Sequence, residues 1–223
     1  MQSEHFRLQT FDFRLSTSDL EVYHPPVRLI LASASPRRVE LLRAAGYDFE
    51  TIVVDIDERV RPGEAPEDYV RRLAMEKSAR AVDHVGLAVS RSSITLAADT
   101  AVVVNGTVLG KPLQDDEVRR MLQLLSGREH RVLTGISLRR GLSEFGGVES
   151  TVVWFEPLSG ADIDWYVASG EGRDKAGGYA IQGLASRFIP RIDGSYSNVV
   201  GLPVHRVGRL ITEMGYAQAN PET

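Results

Sequence analysis

The chain has 223 residues, 43% of them hydrophobic and 25% charged, with a net charge of −4 and no cysteine. That length suits one domain with a sizeable core, and the acidic balance provides no global positive field for nucleic acid or an anionic membrane. The absence of cysteine excludes disulfides and thiolate zinc sites and suits a reducing cytoplasm, and no run of 18 apolar residues marks a membrane span.

The first 25 residues carry acids and no continuous apolar run, so they do not read as a secretory signal. They form an N-terminal extension at 1–25, either a tail or an addition that packs Phe6, Phe11 and Phe13 against the body. No linker composition interrupts the remainder of the chain, so a single domain is expected over 26–217, with a C-terminal tail at 218–223. Val27–Ala32 reads as a buried strand. Ser35 then caps a helix that starts with Pro36, has Val39, Leu41, Leu42 and Ala45 as its apolar side, and stops at Gly46. Phe49–Val54 is a second strand, and Pro66 opens a helix on which Tyr69, Val70, Leu73, Ala74 and Lys77 recur at helical spacing.

Ile94–Ala98 reads as a strand that ends at a carboxylate, Asp99. Ala101–Val104 and Thr107–Leu109 flank Asn105-Gly106, a strong hairpin signal. Asp115–Ser126 places Val118, Met121, Leu122 and Leu125 on one helical face. Arg131–Leu138 is a strand, Gly141–Gly147 a loop, Val148–Phe155 a strand and Ser159–Ser169 a helix with Gly170 beyond its end. Gly172–Gly183 is too rich in glycine for a regular element and reads as a functional loop; Ser186–Ile192 is a strand and Val204–Met214 the last helix. Strands alternating with helices imply an α/β fold with a mixed sheet.

LILASASPRR, Leu29–Arg38, hands a strand over to a helix and puts Arg37 and Arg38 in the first helical turn. A helix start carries unsatisfied N–H groups and partial positive charge, and the ends of strands in α/β sheets are where ligands sit. Guanidinium forks match phosphate oxygens, each such bond contributing about 1.5–3 kcal/mol, so a polyphosphate needs several cations. Two arginines alone fit a solvated surface better, because arginine is usually exposed. Asp99 can hold a divalent cation or take a proton from water, or it can form an Asx turn into the hairpin. Lys111 follows the hairpin. Lys77 falls on the core face of its helix, where it needs an anionic partner or must reach out to water. Asp174–Gly183 offers Lys175, a tyrosine, and Gln182, whose amide both donates and accepts at a base edge. The common nucleotide fingerprints GxxxxGK[ST] and GxGxxG, the GxSxG elbow and HExxH are all missing from the sequence.

LASASPRR, the DIDE of Asp55–Glu58, RLAMEKSA around Lys77, AADT, LGKP, SGREHRVLTG, DKAGGYAIQG and SNVVGLP succeed one another along the chain. In this order the sequence resembles the Maf family of nucleoside triphosphate pyrophosphatases from about Arg28 to Met214. The resemblance implies an α/β fold in which a mixed twisted sheet with flanking helices forms two lobes around a central cleft, as in inosine-triphosphatase-like proteins. It also implies a homodimer that cleaves between the α- and β-phosphates of a nucleotide with Mg²⁺ or Mn²⁺, giving the monophosphate and pyrophosphate. Matched motif by motif, Asp99 stands at the catalytic acid that activates water, and Arg37, Thr100 and Gln182 stand at the substrate-selecting positions. Ser33, Arg38, Glu58, Lys77 and Lys111 stand at cleft positions that bind phosphate or support the metal site, with Glu58 and Asp99 as the metal ligands. ADT together with KAGGYAIQG resembles the branch that acts on dTTP and UTP, rather than the one that acts on 7-methyl-GTP. Asp83–Ser93 is longer than the family pattern and reads as a surface loop.

The partner so implied is a nucleoside triphosphate, canonical or modified, in the cytoplasm, with no membrane and with nucleic acid disfavoured. Two alternatives stay open: a non-catalytic nucleotide- or nucleic-acid-binding regulator of septum formation, and an enzyme for non-canonical purine triphosphates.

Overall fold

The computed structural model describes residues 28–214; the extension at 1–25, Val27 and the tail at 218–223 lie outside the described residues. The chain begins with β1 (Arg28–Ala32), buried after its first residue, then α1 (Pro36–Ala44) and β2 (Phe49–Ile52). Next come α2 (Pro66–Val85), α3 (Leu87–Ser92), β3 (Ser93–Val104), β4 (Thr107–Leu109) and α4 (Asp115–Leu125). β5 (Glu129–Arg140), β6 (Ser143–Trp154) and α5 (Gly160–Ser169) come after them, and β7 (Arg191–Asp193), α6 (Tyr196–Val200) and α7 (Val204–Glu213) complete the described chain. No helix among the described residues is long and apolar enough to cross a membrane.

One sheet runs in the order β2-β1-β3-β5-β6-β7, with β4 beside β3. β1 lies parallel to both β2 and β3, whereas β3, β5, β6 and β7 pair antiparallel, so the sheet is mixed, as expected. Asn105 and Gly106 form the turn from β3 to β4 with φ of 50° and 75°, the left-handed pair that the hairpin signal predicts. One face of β3 sends Ile94, Leu96 and Ala98 into a cluster with Leu42 of α1 and Val207, Leu210 and Ile211 of α7. Farther along the same face, Val102 and Val104 join a second cluster with Val118 and Leu122 of α4 and Ile163 and Tyr166 of α5. Two apolar centres along one strand make two lobes. The opposite face lies under α2, whose Val70 packs on Ala101, Val103 and Leu133.

Several segments differ from the sequence expectation. β3 does not end at Ala98 but continues to Val104, so Asp99 lies inside a strand. Asp83–Ser93 is no loop: α2 runs on to Val85 and α3 fills the rest. Gly141–Gly147 is no loop either, because β6 starts at Ser143 and pairs with β5 down to the turn. Ser186–Ile192 divides into a 3-10 turn at Leu184–Phe188 and the short β7. Ser35 makes no side-chain cap on α1; its own N–H donates to Ser33 Oγ at 3.2 Å.

The position of α2 depends on one small residue. Gly135 lies opposite Asp99 in the β3–β5 register, and a Cβ there would overlap the Val70 carbonyl oxygen. The helix backbone therefore rests directly on β5, and the small buried residues Ala74, Ser78 and Ala81 keep it close to the sheet. Lys77, two turns on from Val70, is brought down with them. Gly135→Ala is expected to destabilise the fold by about 1–3 kcal/mol, read as a lower urea midpoint. An unchanged midpoint would show that α2 does not rest on this glycine.

Candidate active site

β1 pairs with β3 as far as Ala97, and β4 pairs with it from Val102 onward. Between them, Ala98–Ala101 have no strand on that side, and a cleft of ≈600 Å³ opens there. Strand alternation sends Asp99 toward α2 and Thr100 to the other face. Both line the cleft because the edge between the lobes is open. The same cleft is lined by Ser33, Arg37, Arg38, Glu58, Lys77, Lys111 and Gln182, so every residue singled out in the sequence comes together.

Arg38 is only 9% exposed. Its Nη1 donates to the Ala98 carbonyl at 2.8 Å and to Ser33 Oγ at 3.1 Å, its Nε to the Gly201 carbonyl at 2.8 Å, and its Nη2 to Thr100 Oγ1 at 3.1 Å. Burial pulls its pKa down and the charge of Asp99 opposes that, but a guanidinium starts so high that it stays charged. Most of its donors are therefore committed to the protein, and Arg38 acts as a brace. Arg37, beside it, is half-buried on the cleft wall.

Lys77 finds the anionic partners that its core-facing position requires. Its Nζ lies 2.6 Å from Asp99 Oδ1 and 2.5 Å from Glu58 Oε1, with the lysine and aspartate side chains each 12% exposed. Burial works against the Glu58 charge, but the bond from Lys77 and the fields of Lys77, Lys111 and Arg38 outweigh it and hold the carboxyl below its ordinary range. The segment carrying Glu58 is clipped to α2: Tyr69 Oη donates to the Glu58 carbonyl at 3.0 Å, and Arg72 donates to Glu64 at 2.5 and 2.9 Å. Burial, then the charges of Asp99 and Glu58, push the Tyr69 phenol up to about 12, so this hydroxyl remains a donor.

The far wall comes from Lys111 after β4 and from the glycine-rich loop, which is tied to the hairpin by Gly177 N–H donating to the Gly110 carbonyl at 3.1 Å. Residues that sequence reasoning did not single out also line it: Arg173, bonded twice to Asp115 at 2.8 Å, and the apolar Val54, Val102, Val132 and Val199. A lone arginine in a polar stretch and valines spread over two strands, a helix and a loop carry no pattern that marks them as cleft residues. Tyr179 is held from behind by His130, whose Nε2 lies 2.8 Å from the phenol oxygen. Burial lowers the His130 pKa to about 4, so the ring is neutral and supports the wall.

Among the described residues no group of three or more His, Asp or Glu side chains gathers to hold a metal ion. Glu58 and Asp99 nonetheless converge on one positive centre, Lys77 Nζ, and two carboxylates with substrate phosphates are the oxygen set that Mg²⁺ accepts. The donors present fit a hard divalent cation.

The family model described as Maf-like protein matches residues 28–214, the same span that the structure describes. A dTTP/UTP pyrophosphatase of Anaeromyxobacter dehalogenans (strain 2CP-1) is 51% identical over 193 residues, covering 85% of this chain and 95% of the relative. A dTTP/UTP pyrophosphatase of Symbiobacterium thermophilum is 51% identical over 190 residues, covering 85% and 95%. The solved structure of a HAM1 protein from Coxiella burnetii superposes with a TM-score of 0.50 at 16% identity, covering 84% of this chain and 99% of that one, which shows a shared fold.

Folding lowers the pKa of Glu58, so its contribution to stability is present above the ordinary carboxylate range and is lost as pH falls through the lowered value. Lys77→Met removes the cause and leaves two carboxylates side by side. The variant is expected to lose more stability at pH 7 than at pH 3 in urea unfolding; equal losses would mean that the lysine packs rather than pairs.

Proposed function

The chain belongs to the Maf family, and on that premise we propose that it hydrolyses dTTP and UTP between the α- and β-phosphates, releasing the nucleoside monophosphate and pyrophosphate. The observation that carries this reading is the meeting of Asp99, Glu58 and Lys77 with Arg37 and Lys111 in one cleft at the open edge of β3. Relatives at about half identity, named for this activity, support it, and the non-catalytic regulator of septum formation is not favoured.

Arg37 and Lys111, on opposite walls, grip the triphosphate, each charge-assisted bond adding about 1.5–3 kcal/mol. They also neutralise the charge that builds on the departing pyrophosphate. Arg38, anchored by its own bonds, and Ser33 keep the near wall in place. Asp99 has Oδ1 committed to Lys77, so Oδ2 receives the proton of the water that attacks the α-phosphorus while the bridging oxygen leaves with pyrophosphate. Lys77 pairs with both carboxylates and favours the ionised form of Glu58 beside a polyanion. Asp99 and Glu58 would hold a divalent cation, Mg²⁺ or Mn²⁺, which supplies further phosphate neutralisation and a lowered pKa for water. Thr100, fixed by Arg38 and Thr134, and Gln182 on the far wall read the nucleoside, with the half-buried Val199 as apolar surface for its ring.

Asp99→Asn keeps the size and removes the base. It is expected to fold normally and to release pyrophosphate from UTP about 10²–10⁴-fold more slowly; a near-normal rate would remove Asp99 from this role. Across a panel of nucleotides, Gln182→Ala is expected to lower the ratio of UTP to GTP hydrolysis, and an unchanged ratio would overturn its assignment.

A further inference from the structure

The loop that carries Gln182 is built around one carboxylate. Glu171, two residues past the end of α5, accepts the Leu184 N–H on Oε1 at 2.9 Å and the Ala185 N–H on Oε2 at 3.3 Å. The Tyr166 hydroxyl lies near the same carboxylate, whose charge acts on it, and accepts the Ala180 N–H at 3.2 Å. The Glu171 carbonyl takes Lys175 Nζ at 2.6 Å. Tyr166 is 0% exposed, so the phenol is a fixed post for this arrangement. Gly183 is where it is because a Cβ there would overlap Glu171 Oε1. The N–H groups before Gln182 (Ala180) and after it (Leu184 and Ala185) thus end on one carboxylate–phenol pair.

Gln182 itself is exposed on the cleft wall. An exposed amide can read a base edge only if its backbone is held still, because each loose torsion spreads its donor and acceptor over many directions. The pair supplies that rigidity from beneath, without reaching the ligand.

We propose that Glu171 is a positioning residue for nucleotide selection: with Tyr166 it fixes the backbone of residues 180–185 so that Gln182 meets the base in one orientation. The proposal rests on the dTTP/UTP reading of the cleft. It predicts a specific pattern of kinetics. Glu171→Ala raises KM for UTP and dTTP with kcat changed far less, and lowers the UTP-to-GTP ratio of kcat/KM about tenfold. Glu171→Gln, which keeps an acceptor for the Leu184 N–H, recovers part of the ratio. Added to Gln182→Ala, the Glu171→Ala change lowers the ratio no further, because both act through the same contact.

Steady-state pyrophosphate release from UTP, dTTP and GTP by the wild type, the single variants and the double variant tests this. An unchanged ratio in Glu171→Ala, or effects of the two substitutions that simply multiply, would overturn the proposal. If Glu171→Ala does not fold, Tyr166→Phe takes its place, since it removes the acceptor of the Ala180 N–H while keeping the ring; the same outcomes then decide. A wild type that releases no pyrophosphate from UTP would instead sink the proposed function, which keeps the two failures distinct.

Discussion

A strand with no neighbour must satisfy its backbone by other means, and this cleft exists because of how β3 does so between Ala98 and Ala101. The buried Arg38 guanidinium stands in for the missing strand. It ties the first turn of α1 to the Ala98 carbonyl, to Thr100 on the same strand and to the Gly201 carbonyl after α6. Losing it would leave the buried Ala98 carbonyl without its donor, a loss of about 1–3 kcal/mol. The gap is therefore a built feature of the sheet, held open before any ligand arrives, which is the condition under which fixed charges act most strongly on a reacting group.

The second requirement is to keep two carboxylates beside a polyanion. Asp99 and Glu58 would repel phosphate oxygens if they faced them alone. Lys77 sits between them, and it can do so because α2 rests on Gly135 and presents alanine and serine to the sheet. Packing and electrostatics act together here: a bulkier helix face or a side chain at position 135 would lift the ammonium away from its partners.

Much of this was legible along the chain. The strand into LASASPRR, the hairpin at Asn105-Gly106, and the helices at 115–125 and 160–169 carry strong local signals and stand where they were expected. The candidate residues could be gathered from the sequence because charged and glycine-rich motifs recur in a family order, and all of them line one cleft. Where reading failed, a tertiary contact overrode a local cue. Gly146 looks like loop composition, yet it pairs with Ser137 in β6, and it is glycine because a Cβ there would overlap the Ile136 carbonyl oxygen on β5. Asp99 reads as the end of a strand because an acid is rare inside one, and its placement depends on Lys77 from another element. That Arg38 braces while Arg37 faces the cleft is decided by Gly201, far away in sequence, and no spacing rule encodes it. Glu171 was missed for the same reason: its partners are backbone N–H groups, which have no letter of their own.

Asp99 and Thr100 are consecutive, and a pleated ribbon points consecutive side chains to opposite sides. In most sheets at least one of two such neighbours would be buried under a covering layer, but here the ribbon is bare along one margin and both reach the same hollow. In the proposed function the base Asp99 would thus be supported from the layer of α2, while Thr100, which joins Gln182 in reading the nucleoside, is held from the layer of α1 and α6. Because the two faces of the ribbon pack into separate clusters, substitutions around Thr100 would, on the proposed roles, retune preference while the side of Asp99 keeps its shape.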